Sequence, residues 1–143
     1  LGMNEAELLR NPRLAERIVH DLNRNPALPF ADGRFDAALC TVSVEYLIRP
    51  VEVFREVRRV LRAGAPFVLS FSERWFPPKV IRIWTELHPY ERLGLVLDWL
   101  HRAGGFAGLG TESLRGLPRP ADDKYAGLTR RSDPLYCAWG LAA

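Results

Sequence analysis

FDAALCTVSVEYLIRPVEVFREVRRVLRAGAPFVLSFS, residues 35–72, reads as a strand, a loop, an amphipathic helix, a turn and a second buried strand. Phe35-Asp36 leads into the apolar run Ala37-Ala38-Leu39-Cys40. Pro50 stands where a helix would begin, since a first-turn proline gives up an N–H that has no partner anyway. Phe54, Val57 and Leu61 recur at helical spacing, and Val53 and Val60 widen the stripe. Arg55, Glu56, Arg58 and Arg59 take the other faces. Gly64 closes the helix with a position that favours positive φ. Phe67 to Phe71 forms the next apolar strand. Two parallel strands joined by a helix make a right-handed crossover unit. Phe54, Val57, Leu61, Leu39, Val68 and Leu69 are the expected core between helix and sheet.

Outward from this unit the pattern continues. Glu5 to Leu9 predicts a short helix, stopped by Asn11-Pro12. Ile18-Val19-His20-Asp21-Leu22 predicts a short strand ending in an acid. Asn25-Pro26 and Ala31-Asp32-Gly33 are turn signals. Ser72 to Pro78 is an aromatic, proline-rich loop. Lys79 to His88 predicts a helix interrupted by Pro89, and Tyr90 to Arg102 a second helix with Leu93, Val96, Leu97 and Leu100 on one face. Gly104-Gly105 stops it. Phe106 to Leu114 and Leu135 to Leu141 predict strands, separated by the polar excursion Pro118 to Asp133. Alternating strands and helices predict an α/β sheet covered on both faces. The 143 residues suffice for a substantial core, and residues 1–143 are expected to form a single domain.

The unit resembles the later half of a class I methyltransferase that uses S-adenosylmethionine, of the broad type 11 kind. The resemblance rests on Leu28-Pro29-Phe30, Asp32, Phe35-Asp36, Ser43 to Leu47, Glu56 to Leu61 and Phe67 to Ser70. One departure is visible: Ala63-Gly64-Ala65 stands where Pro-Gly-Gly is usual. A glycine-rich loop after the family's first strand is absent from these 143 residues. Leu1-Gly2-Met3-Asn4 looks like the end of the family's second strand. The expectation is therefore a partial doubly wound, mostly parallel Rossmann-like sheet without the first strand, first helix and most of the second strand. The chain is expected to be the C-terminal portion of a longer protein, or alternatively a naturally shortened relative.

The resemblance implies S-adenosylmethionine as cofactor and a small molecule as methyl acceptor. Ligands of open α/β sheets bind outside the carboxyl ends of the strands. At the first such end, Gly2, Met3 and Asn4, the family places an acid for the ribose hydroxyls. Gly2 holds that place here, and Asn4 or Glu5 could substitute as acceptor. Alternatively Asn4 is the N-cap of the helix from Glu5. At the second end, Asp21 would accept from the adenine amino group and Leu22 would pack on the ring. Alternatively Asp21 satisfies turn amides. At the third, Thr41, Val42 and Ser43 would contact the methionine moiety and Tyr46 would line the pocket, unless Tyr46 is a core residue of the following helix. Glu73, Arg74, Trp75 and Phe76 would face the acceptor; alternatively Trp75 and Phe76 staple the loop to the helix after it. No catalytic residue stands out, because an in-line displacement can draw on positioning alone.

Other functions find less support. Net charge is +3 and the isoelectric point about 9.2. A nucleic-acid stripe wants clustered cations with interleaved aromatics. Arg55, Arg58, Arg59 and Arg62 do cluster, but Arg58 and Arg62 flank a core-facing helix that needs a polar side anyway, so no nucleic-acid partner is expected. No apolar run reaches the roughly 20 residues of a membrane span. His20, His88 and His101 are scattered, which argues against a metal site. The absence of G-x-G-x-x-G argues against a dinucleotide binder. Ser43 and Ser70 lack a nucleophile elbow. If the family's strand order holds, one strand separates Cys40 from Cys137. That places them beyond disulfide reach of about 7 Å and suits free thiols in a cytoplasmic protein. The strand from Asp36 would present an apolar edge without Lys or Pro, open to self-association. The rival reading is a truncated, catalytically inactive interaction module on a methyltransferase scaffold.

Overall fold

The computed structural model describes residues Leu1–Ala143. Four strands form one sheet: β1 (Ala38–Thr41), β2 (Pro66–Ser72), β3 (Phe106–Leu114) and β4 (Leu135–Ala142), in the order β1-β2-β4-β3. Four α-helices accompany them: α1 (Glu5–Arg10), α2 (Pro50–Val60), α3 (Arg82–Glu86) and α4 (Pro89–Ala103), with a 3-10 turn at Val44–Tyr46. The fold is α/β, as the sequence pattern predicts. The sheet is mixed rather than mostly parallel: β1 and β2 run parallel, whereas β4 is antiparallel to both β2 and β3.

The crossover unit forms as expected. Pro50 opens α2, and Val53, Phe54, Val57 and Val60 are buried along it. Phe54 meets Phe67 edge to face at 5.1 Å and Trp99 of α4 at 6.4 Å. Such pairs add about 0.5–1.5 kcal/mol beyond area burial. Gly64 turns the chain at φ +80° and donates its N–H to Ala142 O at 2.7 Å. α4 is capped by a motif the sequence reading took for an interruption. Pro89 is its first-turn proline, His88 Nδ1 accepts from Tyr90 N, and Glu91 Oε2 accepts from His88 N at 2.7 Å. That arrangement is a capping box with histidine in place of Ser or Thr.

Several expectations need correction. The sheet is covered on one face only. Phe67, Leu69, Phe71, Tyr136, Ala138 and Ala142 face the helices and are buried. On the opposite face, β-register lines up Leu39, Val68, Trp139 and Gly110. Leu39 is 76% exposed and Val68 only half-buried, so neither belongs to the core expected of it. Alternation along a strand decides this: in β1 it is Ala38 and Cys40 that pack against the core. Ile18 to Leu22 is not a strand but a single parallel bridge, Gly2 to Val19. Gly2 N donates to Ile18 O at 3.1 Å and His20 N to Gly2 O at 2.9 Å. The helix expected from Lys79 shortens to Arg82–Glu86, although Trp84 within it is fully buried and meets Phe71 at 4.7 Å.

The arginine cluster is consumed internally. Arg55 donates to the carbonyls of Arg102 and Ala103, closing the C-terminus of α4. Arg59 binds Glu56 and Asp32, and Arg62 binds Asp36. β2 lies between Cys40 and Cys137, and both are free thiols. Burial, with the Glu45 carboxylate adding to it, pushes the Cys40 thiol up to about 12. No helix is long and apolar enough to cross a membrane.

Candidate functional site at the carboxyl end of the sheet

β1 ends at Thr41 and β2 at Ser72, and the register places β4's start, Leu135, beside Ser72 and β3's end, Leu114. The loops after β1, β2 and β3 therefore open at the same end of the sheet. Two of them, with the Asp21 loop, hold most of the residues singled out by sequence.

The Asp21 loop and the β1 loop are pinned together. Asn23 Nδ2 donates to Tyr46 O at 2.8 Å, and Asn23 Oδ1 accepts from Ile48 N at 2.9 Å. Arg49 adds bonds to the carbonyls of Asn23 and Arg24. Sequence reading missed Asn23, since its partners lie more than twenty residues away and leave no local signature. Asp21 Oδ1 accepts from Asn23 N at 2.9 Å, the turn role weighed as its alternative. Its Oδ2 has no such bond and stays available. Leu22 is half-buried and packs against the core.

At the end of β1, Val42 sits at φ +49°, a left-handed conformation that a β-branched residue adopts only under constraint. Val42 N donates to Ser70 O at 2.8 Å, and Ser43 Oγ donates to Thr41 O at 3.0 Å. Thr41, Val42 and Ser43 are exposed. Tyr46 is half-buried, with its hydroxyl accepting from Phe76 N at 3.0 Å and its ring 6.4 Å from Phe76. Tyr46 thus joins the β1 loop to the β2 loop. Glu45 is the anomaly. It is 1% exposed, and neither carboxylate oxygen meets a protein donor. Burial raises its pKa above the ordinary carboxylate range.

The first predicted end is less equipped. Gly2 carries no acceptor side chain, Met3 is 70% exposed, and Asn4 Oδ1 caps α1 by accepting from Glu7 N at 3.3 Å. Asn4 therefore plays the N-cap role weighed as its alternative.

In the β2 loop, Glu73 Oε1 accepts from Tyr136 OH at 2.8 Å, and Arg74 pairs with Asp133 at 3.0 Å. Burial, then the Glu73 carboxylate, pushes the Tyr136 phenol up to about 12. The buried Arg92 donates to Trp84 O at 2.8 Å and lies 4.4 Å above the Trp75 ring, a cation–π contact. Phe76 is 67% exposed. Glu73, Trp75, His88, Pro89 and Arg92 line a cleft of about 310 Å³. Glu73 and Trp75 thus share one concavity, while Arg74 turns toward the β3–β4 excursion and Phe76 toward solvent. No group of three or more His, Cys, Asp or Glu side chains is placed to hold a metal.

Residues 4–69 match a family model described as a methyltransferase domain. Over 57 residues, 40% of this chain and 10% of the relative, the sequence is 35% identical to the biotin biosynthesis bifunctional protein BioHC of Teredinibacter turnerae. In fold, the chain is similar to a SAM-dependent methyltransferase of Archaeoglobus fulgidus, with a TM-score of 0.60 at 13% identity, covering 97% of this chain and 73% of that one. It is also similar to a SAM-dependent methyltransferase of Thermotoga maritima described as a possible histamine N-methyltransferase, with a TM-score of 0.53 at 16% identity, covering 82% and 61%. The chain thus spans a tenth of the curated relative it matches. From the sequence match over residues 4–69 and the shared sheet, the chain has the class I fold of the S-adenosylmethionine-dependent methyltransferases.

Proposed function

We propose that the carboxyl end of this sheet takes part in methyl transfer from S-adenosylmethionine to a small-molecule acceptor, with residues 1–143 acting as one domain. The observation that carries this is the Asn23 clamp, which holds the Asp21–Leu22 loop against the β1 loop, where Val42 is strained and Ser43 exposed. The residues fit the cofactor at two of three points. Asp21 Oδ2 is an acceptor suited to an exocyclic amine, with Leu22 beside it. The exposed backbone of Thr41–Ser43 suits the methionine end. At Gly2 there is no side-chain acceptor for a ribose, and Asn4 is engaged as a cap.

Bound, the cofactor would supply an electrophilic methyl group. The chain's own residues would orient it and hold the acceptor in line, a contribution of up to about 7–11 kcal/mol. Tyr46 would wall the pocket through its bond to Phe76 N, and Glu73 and Trp75 would line the acceptor cleft. A general base is unnecessary where the acceptor is already nucleophilic. The test is transfer of a labelled methyl group into a panel of small amines, carboxylates and thiols, by this chain and by any longer natural form of it. Transfer by the longer form that vanishes in Asp21→Ala supports the reading. Transfer unaffected by Asp21→Ala and Ser43→Ala together removes this site from it.

A second reading is a binding module that has lost catalysis. The bare ribose position and the uncovered sheet face, with Leu39 76% exposed, favour it. On this reading β1, with β2 on one side only, associates with a second copy through its free edge.

A further inference from the structure

The excursion between β3 and β4 folds back on itself through a bridge from Pro118 to Arg131 and encloses a second concavity of about 580 Å³. Beside Gly116 and Pro134, its lining carries polar side chains, among which arginines dominate: Arg115, Arg119 and Arg131, with Asp133. These cations are not equivalent. Arg119 is 4% exposed in its side chain and structural. Its guanidinium pairs with Asp123 at 3.2 Å and lies 3.4 Å from Asp133, and its Nε donates to Arg131 O. Asp133 is further neutralised by Arg74 at 3.0 Å. Arg115 and Arg131 are exposed and make no ion pair with any carboxylate. Arg115 donates to the Tyr90 hydroxyl at 3.2 Å, and Arg131 Nη1 lies over Gly116, 3.2 Å from where a Cβ would stand.

Side-chain contacts connect the concavity to the acceptor cleft. Arg74 of the β2 loop reaches Asp133 on its rim, and Tyr90, which holds Arg115, packs at 6.1 Å against Tyr136, the donor to Glu73. The cleft lined by Glu73 and Trp75 and the basin with two unpaired guanidiniums share no lining residue, and these contacts tie one to the other. Guanidiniums bind carboxylate and phosphate oxygens through paired N–H donors, which gives both charge and orientation.

We propose that Arg115 and Arg131 hold an anionic group, a carboxylate or a phosphate, on the methyl acceptor. The acceptor class is then a small molecule with a nucleophile at one end and a monoanion or dianion at the other. This rests on the methyl-transfer reading above and adds the charge of the acceptor to it.

The test uses the whole chain labelled with 15N, with the arginine Nε–Hε signals as readout. Inorganic phosphate and succinate are titrated separately, so that the two anion chemistries are told apart, and S-adenosylmethionine is titrated into a third sample. Saturable shifts of Arg115 and Arg131 with one or both anions are expected. In Arg115→Gln/Arg131→Gln the affinity falls about tenfold or more, the loss of charge-assisted bonds. Both side chains are exposed, so the variant keeps its fold, which circular dichroism checks. Unmoved arginine signals with both anions, or equal affinity in the double variant, overturn the proposal even where the cofactor binds. Anion binding on a chain that gives no cofactor response in any form overturns the acceptor role and the methyl-transfer reading together.

Discussion

Replacing Glu45 by Met stabilises the protein at neutral pH. Glu45 is 1% exposed, and both its oxygens lack a protein donor. A buried polar group without a partner costs about 1–3 kcal/mol, more when charged. Met has similar length and no polar atom, so it fills the same space without leaving a void. The expected gain is about 1–3 kcal/mol at pH 7, roughly 2–4 °C in Tm for each kcal/mol at this size. The pH dependence has a definite sign. Burial raises the folded-state pKa of Glu45, so above the ordinary carboxylate range the native state keeps a proton that the unfolded chain has released. Native stability then falls as pH rises from the unfolded value toward the folded one. Glu45→Met lacks this slope, so its advantage is smallest near pH 4 and grows toward pH 7. Urea unfolding at both pH values measures it. A variant less stable than the parent at pH 7, or an advantage that does not change with pH, refutes the reasoning. Glu45 lies in the turn that carries Tyr46, and a residue that breaks a local rule at that place is what a functional site retains.

Leu61→Ala removes a side chain that is 2% exposed and costs about 2–5 kcal/mol in denaturant unfolding; an unchanged midpoint contradicts its place in the core. Asn23→Ala deletes both clamp bonds between the Asp21 and β1 loops. It costs about 1–3 kcal/mol of stability and speeds amide exchange at Ile48, which hydrogen-exchange NMR reads. In a form that binds S-adenosylmethionine, Asp21→Ala weakens binding by about 1–3 kcal/mol; calorimetry showing equal affinity takes Asp21 out of the site. With β1 at the sheet edge and Leu39 exposed, the chain is expected to self-associate with rising concentration. Light scattering checks this, and a monomer at millimolar concentration ends the idea.

The crossover unit was legible because three signals agree on it: the helical spacing of Phe54, Val57 and Leu61, Pro50 at the start, and Gly64 at the turn. β4 was legible from its apolar run after Pro134, and β3 from the stretch that follows the Gly104-Gly105 helix stop. The one-sided sheet was not. In β4 the bare face carries Leu135, Cys137, Trp139 and Leu141, as apolar as the buried face, so its pattern does not tell a covered face from a bare one. In β2 only Ser70 and Ser72, alternating with Leu69 and Phe71, mark the bare face. The strand at Ile18 shrank to a bridge because a strand needs a neighbour along its length, and only Gly2 provides one. At the candidate site, Asp21, Leu22, Ser43 and Tyr46 were reachable through the family resemblance, which places them at or just after expected strand ends. The Asn23 clamp and the arginine basin were not, since both depend on contacts between residues distant in sequence. For Asn4 the capping role was legible as one of two alternatives, and the geometry of its Oδ1 decides between them.

The most direct test of the account is a titration of S-adenosylmethionine into the 15N-labelled chain. The account predicts saturable shifts confined to the amides of Leu22–Asn23 and Val42–Tyr46, with a dissociation constant weaker than about 10 µM, near 7 kcal/mol of binding free energy, because the ribose end at Gly2 lacks an acceptor. Binding tighter than that, or shifts centred away from the carboxyl ends of these strands, contradicts it.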